Sequence, residues 1–588
     1  MLLENEIRLL SLLPASDAAS TTPIKCDIII AALSDNPDYE ALSYVWGSEP
    51  RNQSIQLAGC DVSISPTLHS ALLRLRLPDR TRTLWIDQLC INQQDLDEKM
   101  QQVQLMRHIY TSCSRCIIWM GEIQETIRLE DAHAAFQFLH YMSEVHCTGI
   151  ENAVVPSVDN VEGMVKAIWS LGYGHNQWWE RIWTVQEASL PKDLTMQWGP
   201  LTLPWSILDN ATWNWTDPEV VNTDELSRAL GGVMIHAIWL DGPRNGVDDL
   251  YCLIHKWRHR KASDVRDKIY GLLGLCETGI LPRTERCDYS LSPAEVFSTL
   301  TRELILHDKE LKALTPYLRE DSSNTTPDMP SWAIDLGSTG QVDVPDLWHQ
   351  LNGYQKYCAS KGLNQIDLEL IRSEMGQSSL SLRGVCVDKI IQIEKGYKKS
   401  QGWEINFSKT ECLIRSWYNV AMREAADGTC EAQSSLGRSE KLYPGERYSC
   451  KEAFLRCILG DVIRNHENVP VRDLVDKDLE DAWKMVSLEC DGVDWETRRT
   501  VYGMMANQNM FVTKLGLIGT GHMDVQVGDE VWILNGGKVP FTIRPRVVEV
   551  GFGHTFVGHC YVQGIMFGEA GEKSISGVDL TERTACLW

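Results

Sequence analysis

The sequence predicts an α/β fold: a parallel-sheet domain first, a mainly helical region after it, and a small antiparallel β domain at the end. Three observations carry this. Up to about residue 200, apolar runs of strand length alternate with stretches of helical periodicity, the pattern of a parallel sheet with crossover helices. From roughly 220 to 505 the periodicity is almost wholly helical. From Met510 onward, short apolar runs are separated by Gly-rich turns. The expected divisions are 1–215, 216–505 and 506–588.

In the first region the strands are ALSYVW at 41–46, TLWIDQL at 83–89 and CIIWM at 116–120. Between the last two, Leu96, Met100, Val103, Met106 and Ile109 recur at three- and four-residue spacing, and Asp95 with Glu98 forms a capping box that starts a crossover helix. A further helix covers 131–147, and WWERIWTVQEASL is expected to be one helix ending before Pro191. In the middle region, amphipathic patterns occupy 226–240, 248–275, 293–307, 404–424, 449–466 and 477–507. One β interruption, SLSLRGVCVDKIIQI at 379–393, breaks them. The terminal runs MFVTKL, EVWILN, PFTIRP and HCYVQGIMFGE, with turns such as Gly536–Gly537, make a small sheet or barrel of structural character.

Composition narrows the function classes. At 588 residues the chain exceeds a single domain of roughly 150 residues, and 43% hydrophobic with 23% charged residues is ordinary for a folded protein. Its net charge of −24 repels phosphate backbones and anionic membrane surfaces, so nucleic acid is not an expected partner. No stretch reaches the roughly 18–20 apolar residues of a bilayer span. Glu4, Glu6 and Arg8 interrupt what would be a signal core. The 18 cysteines, spread from Cys26 to Cys586, are then expected to be reduced, in a cytoplasmic protein. Trp, at 21 against 10 Phe, serves cores and flat-ligand rims alike.

Several short motifs carry no chemistry of their own. Cys113 and Cys116 form a lone C-x-x-C before an apolar strand, so they are expected to be core thiols, with no metal site. His255 and His259, four apart in HKWRHRK, lack a third ligand and suggest an exposed basic helix face. GLIGTGH at 516–522 lacks a phosphate-loop ending and is expected at a hairpin turn, and Gly551, Gly553 and Gly558 fail the dinucleotide spacing. No Gly-x-Ser-x-Gly elbow is present.

Three blocks in order, YEALSYVWG at 39–47, LWIDQLCINQQDLDEKMQQVQLMRHIY at 84–110 and WWERIWTVQEA at 178–188, resemble the fungal heterokaryon-incompatibility (HET) domain proteins. VRDKIYGLLGL at 265–275, PSWAIDL at 330–336 and VGDEVWILNGGKVPFTIRP at 527–545 look like companion segments of full-length members. The resemblance implies an intracellular fungal protein of allorecognition or programmed cell death, acting with an incompatibility partner and with self-association as a candidate switch. The order strand, acidic turn, crossover helix, strand, then Trp183 four residues before Glu187 is also similar to Toll/interleukin-receptor (TIR) domains. That likeness implies a TIR/flavodoxin-like sheet and, since enzymatic members cleave NAD at a matching glutamate, a catalytic carboxylate at Glu187. It implies NAD as substrate and no required cofactor.

Nicotinamide–ribose cleavage passes through a ribosyl cation, which a nearby carboxylate stabilises. In parallel sheets ligands sit beyond the carboxyl ends of the strands, where Trp46, Gly47 and Ser48 follow one strand and Asp87, Gln88 and Asn92 the next. Asp87 is a catalytic helper or the anchor of an Asx turn. Trp46 with Gly47 is a ring-binding face or a packing corner. Arg181 meets a pyrophosphate or pairs with carboxylates, Trp183 joins the substrate side, and Glu180 competes locally with Glu187. Two functions stay open: a NAD glycohydrolase using Glu187, and a non-enzymatic module that self-associates or docks a partner.

Overall fold

Strand formation starts earlier than the apolar runs suggest. In the computed structural model, which describes residues 2–3, 5–15, 23–244, 250–315, 326–337, 353–373, 379–397, 407–423, 438–445, 448–463, 471–548, 551–571 and 581–588, β1 (Glu6–Leu12) and β2 (Lys25–Ala32) already pair antiparallel. Then come β3 (Glu40–Ser43), the hairpin β4 (Gln53–Leu57) and β5 (Cys60–Ile64), and α1 (Pro66–Leu75), whose Ser65 hydroxyl accepts from the Leu68 amide. β6 (Arg82–Trp85) leads through the one-turn α2 (Asp87–Cys90) into α3 (Leu96–Ser112), and β7 (Arg115–Trp119) follows. Asp95 caps α3 as the spacing predicts, accepting from the amides of Asp97 and Glu98. The Glu98 carboxylate does not close the box, because Arg8 and the Asn92 amide take it instead.

After α4 (Leu129–Thr148) and α5 (Val161–Leu171) the expected single helix over WWERIWTVQEASL is broken in two. A 3-10 turn at Gln177–Glu180 precedes α6 (Trp183–Ser189), with Arg181 extended between them at φ −84° and ψ 138°. The cause is tertiary: the Lys261 amide donates to the Glu180 carbonyl at 2.5 Å and the Ile182 amide to the Lys261 carbonyl at 3.0 Å, a β-bridge that takes the place of helical bonds. β8 (Leu194–Trp198), β9 (Leu201–Pro204), α7 (Trp205–Ala211), α8 (Asp224–Arg244), α9 (Leu250–Trp257) and α10 (Asp267–Leu273) complete this part.

The nine strands run in the order β5-β4-β2-β1-β6-β3-β7-β8-β9. β6, β3, β7 and β8 form a parallel run in the centre; outside it β2 also pairs parallel with β4, while β1 with β2 and β6, β4 with β5, and β8 with β9 pair antiparallel. The sheet is thus mixed, with a parallel heart. Counted along the chain, the parallel strands stand second, first, third, fourth, so the chain reverses direction across the sheet at β3. A ligand crevice in such sheets opens at that point, beyond the carboxyl ends of the strands.

Met1–Leu291 form one compact unit and Ser292–Trp588 another, so the helical segment expected over 216–505 is divided: α8–α10 belong to the first unit and the later helices to the second. The second unit begins with α11 (Pro293–Asp308), which has a full capping box between Ser292 and Glu295. Helix Phe407–Ala421 matches its amphipathic pattern, but the pattern at 449–466 is helical only over Cys450–Leu459 and turns extended at Val462–Ile463, that at 477–507 divides into Asp476–Ser487 and Trp495–Met505, and that at 248–275 into α9 and α10. Residues 404–406, 424, 464–466 and 248–249 lie outside the described residues.

The β interruption is the long strand β10 (Leu380–Glu394). Besides the two-residue pair β11 (Val462–Ile463) and β12 (Arg472–Asp473), the unit holds β13 (Gln508–Thr513), β14 (Ile518–His522), β15 (Glu530–Leu534), β16 (Phe541–Val548), β17 (Gly551–Val562) and β18 (Glu582–Leu587). Neighbours pair in the sequence β13-β14-β17-β16-β15-β10, and the far end of β10 pairs back onto β13, which closes a six-stranded antiparallel barrel. Closure removes the open edges that a free sheet would present. β10 can serve three partners because its register shifts between Cys386 and Asp388 and again between Ile390 and Gln392: the first half meets β18, the middle β15 and the end β13. GLIGTGH supplies the turn at Gly516, φ +88°, and then β14 itself.

Candidate functional site

The parallel strand β3 ends at Ser43, and its hydroxyl is the centre of a buried chain of hydrogen bonds. Ser43 Oγ accepts from Trp178 Nε1 at 2.8 Å and donates to Glu187 Oε2 at 2.5 Å. Trp178 reaches it from the 3-10 turn and Glu187 from α6, so the break in WWERIWTVQEASL is what lets both side chains converge on one strand end. Glu187 is only 2% exposed. Burial lifts its carboxyl from the ordinary 4.5 to about 7, with Asp87 adding to the rise and Arg181, Ser43 and Arg260 opposing it. A carboxyl poised near neutrality exchanges its proton at physiological pH and can act as acid or base.

Tyr44, Val45, Trp46, Gly47 and Ser48 leave the sheet above this floor. Trp46 Nε1 donates to Asp87 Oδ2 at 2.8 Å, and the Gln88 amide donates to Asp87 Oδ1 at 2.7 Å, so Asp87 both anchors its own turn and ties the two strand ends together. Desolvation raises the Asp87 carboxyl, against the pull of Arg181 and of these two bonds. Arg181 Nη1 donates to the Tyr44 carbonyl, and the Tyr44 hydroxyl donates to Gln88 Oε1 at 3.1 Å. Gly47 and Ser48 are exposed; Gly47 sits at φ +75°, where a Cβ would lie 3.3 Å from Thr67 Oγ1.

Asn92 is exposed on the same loop, its amide held by Glu98 Oε1 at 2.7 Å, while its own Oδ1 accepts from the Gln94 amide. Glu98, 7% exposed, also receives Arg8 through both guanidinium nitrogens at 2.5 and 2.9 Å, which holds its carboxyl below the usual range. Glu98→Ala is expected to cost about 2–3 kcal/mol in urea unfolding, since it strands Arg8 and frees the loop that carries Asn92. Stability unchanged by the substitution would show that this pair contributes nothing.

The structure therefore gathers Glu187, Asp87, Arg181 and Trp46 at the carboxyl end of β3. It places Trp183 elsewhere: its indole donates to Asp267 Oδ2 at 3.1 Å, the same carboxylate that receives the Tyr289 hydroxyl at 2.6 Å. Glu180 pairs with Lys261 at 2.6 Å and takes no part. Cys113 and Cys116 are buried, with burial pushing the Cys113 thiol up to about 12, and the described residues contain no cluster suited to a metal ion. The HKWRHRK segment departs from the exposed basic face its charges suggest. Trp257 and Arg260 are wholly buried, and His259 packs at 5.8 Å from both Tyr173 and Trp239. Sequence reasoning missed Ser43, Trp178 and Arg260; Ser43 and Trp178 stand in the distinctive blocks YEALSYVWG and WWERIWTVQEA, which was their available signal.

Residues 39–187 match the family model for the heterokaryon incompatibility protein (HET), and residues 459–576 match the Het-6 beta-barrel domain. Two segments of the chain thus match domains of heterokaryon-incompatibility proteins. A curated relative, the heterokaryon incompatibility protein 6, OR allele, of Neurospora crassa, is 25% identical over 97% of this chain and 95% of its own length. No solved structure matches the chain. The HET match begins one residue before β3 and ends on Glu187, so it contains the whole Ser43–Trp178–Glu187 chain and the Asp87 rim. The barrel match covers β13 to β17 and omits β10, the strand that closes the ring. Among the described residues no helix is long and apolar enough to cross a membrane.

Proposed function

We propose that this HET-domain chain is an effector of fungal nonself recognition and cell death, and that its N-terminal unit cleaves NAD at Glu187. The observation that carries the reading is the Glu187 carboxyl, held near pKa 7 at the carboxyl end of β3 where the sheet changes direction, with Arg181, Asp87 and the Trp46 ring beside it. The strand order second-first-third-fourth is that of flavodoxin-like sheets and supports the likeness to TIR domains. In the reaction the ribosyl C1′–N bond breaks with its electron pair going to nicotinamide. The ionised Glu187 stabilises the ribosyl cation, then accepts the proton of the water that adds to C1′, leaving ADP-ribose.

The 2% exposure of Glu187 favours a second reading, in which the carboxyl is a structural hub and the domain acts by docking a partner protein or a second copy. The two differ in one assay. Full-length chain incubated with NAD over a range of protein concentrations is expected to release nicotinamide, and Glu187→Gln to lower the rate by about two orders of magnitude or more while remaining folded. Absence of release by the native chain at every concentration overturns the enzyme and leaves the docking module.

A further inference from the structure

Behind the segment that carries Glu187 lies a second polar cluster that the reaction does not use. Arg260 is wholly buried, its guanidinium 4.4 Å above the Trp257 ring. Its Nη1 donates to Thr184 Oγ1 at 2.6 Å and to the Arg181 carbonyl at 3.2 Å, both uncharged acceptors. The Nε and Nη2 groups carry no hydrogen bond, and these form the edge of the guanidinium that meets an oxyanion with two parallel N–H donors. The acidic groups that act on Arg260 are Tyr173 and Glu187, and neither bonds to it. A buried guanidinium without a bonded anion is costly, so the cluster has a strong intrinsic preference for negative charge.

Two imidazoles complete it. His236 stacks on Tyr173 at 4.3 Å and stands 6.2 Å from His259, ring to ring. His259 Nδ1 faces the Lys256 carbonyl at 3.1 Å and so carries the proton, leaving Nε2 as an acceptor without a hydrogen bond, while the His236 ring is directed at the Gly232 backbone. Burial and the Arg260 charge hold both rings neutral, His259 down to about 3. Tyr173, Trp239 and His259 are partly exposed, which connects the cluster to the surface.

We propose that Arg260, His236 and His259 form a binding site for a small hydroxyl-bearing oxyanion, a phosphate or carboxylate group with an O–H beside it. The unbonded guanidinium edge takes the anionic oxygens, His259 Nε2 accepts from the hydroxyl, and the His236 ring walls the site. The site is separate from the chemistry assigned to Glu187 and stands whether or not NAD is cleaved.

The test is titration of full-length chain with inorganic phosphate at pH 6, where the dominant ion carries both oxyanion and hydroxyl, followed by calorimetry and by tryptophan fluorescence. Sulfate at matched ionic strength, an oxyanion without the hydroxyl, is the comparison. Phosphate is expected to bind saturably and roughly tenfold more tightly than sulfate, with His259→Gln removing about that factor and Arg260→Lys removing saturation. No saturable phosphate binding by the native chain overturns the proposal, as does binding that His259→Gln leaves unchanged. Equal affinity for sulfate overturns the hydroxyl requirement. His259→Gln keeps the test decisive should Arg260→Lys fail to fold.

Discussion

The Glu187→Gln variant is expected to be more stable than the native chain at pH 8 and no more stable at pH 4. The native carboxyl is raised from 4.5 to about 7 because ionising it inside the protein, beside Asp87, is unfavourable. The folded state therefore holds its proton more tightly than the unfolded state. Its contribution is fully present below pH 4.5, declines as pH rises from 4.5 to about 7, and is gone above that. The difference amounts to about 3 kcal/mol. Gln is neutral and of the same shape, and its amide oxygen still accepts from Ser43, so the variant escapes the decline. Urea unfolding of both proteins at pH 4, 6 and 8 checks this. Parallel profiles would show that the carboxyl is not raised. A variant that gains stability while losing nicotinamide release would mark Glu187 as a group retained for chemistry against the interest of the fold.

Gly384→Ala is expected to open the barrel. Gly384 lies in β10 between β15 and β18, opposite Leu534 on one side and Arg583 on the other. A Cβ there would stand 2.4 Å from the Ile533 carbonyl oxygen and 2.8 Å from the Leu534 Cα. Both are backbone atoms of the neighbouring strand, so no side-chain rotation relieves the overlap; the strands must separate and lose bonds such as the Asn535 amide to the Arg383 carbonyl at 2.9 Å. The loss is on the order of 3 kcal/mol or more. Hydrogen exchange read along the chain should show protection falling in β10, β15 and β18 first. Native protection in the variant would mean that β10 and β15 do not approach this closely.

Much of this architecture is local and was therefore legible in the sequence. Helices such as α3 and α11 announce themselves because an apolar stripe at three- and four-residue spacing and a capping residue are properties of neighbours in the chain. The same holds for the strand runs that became β6 and β7, and for the three blocks that mark the HET family. Asp87 could be singled out by its place after a strand run, and Glu187 through the resemblance of its spacing from Trp183 to that of TIR domains.

What tertiary structure alone decided depends on groups far apart in sequence. Lys261 breaks the helix over WWERIWTVQEASL from 81 residues beyond Glu180, and that break aims Trp178 and Glu187 at Ser43 while turning Trp183 toward Asp267. β10, an interruption among helices in the sequence, becomes the closing strand of a barrel through pairing with β13 and β15. Arg260 lies in the most basic stretch near α9, yet it is wholly buried because Trp257 covers it and Thr184 takes its donor. Local pattern thus accounts for most individual helices and strands and for the HET blocks. Burial, and with it the near-neutral pKa of Glu187 and the unbonded edge of Arg260, arises only when distant segments exclude water from these groups, and no local pattern encodes that exclusion.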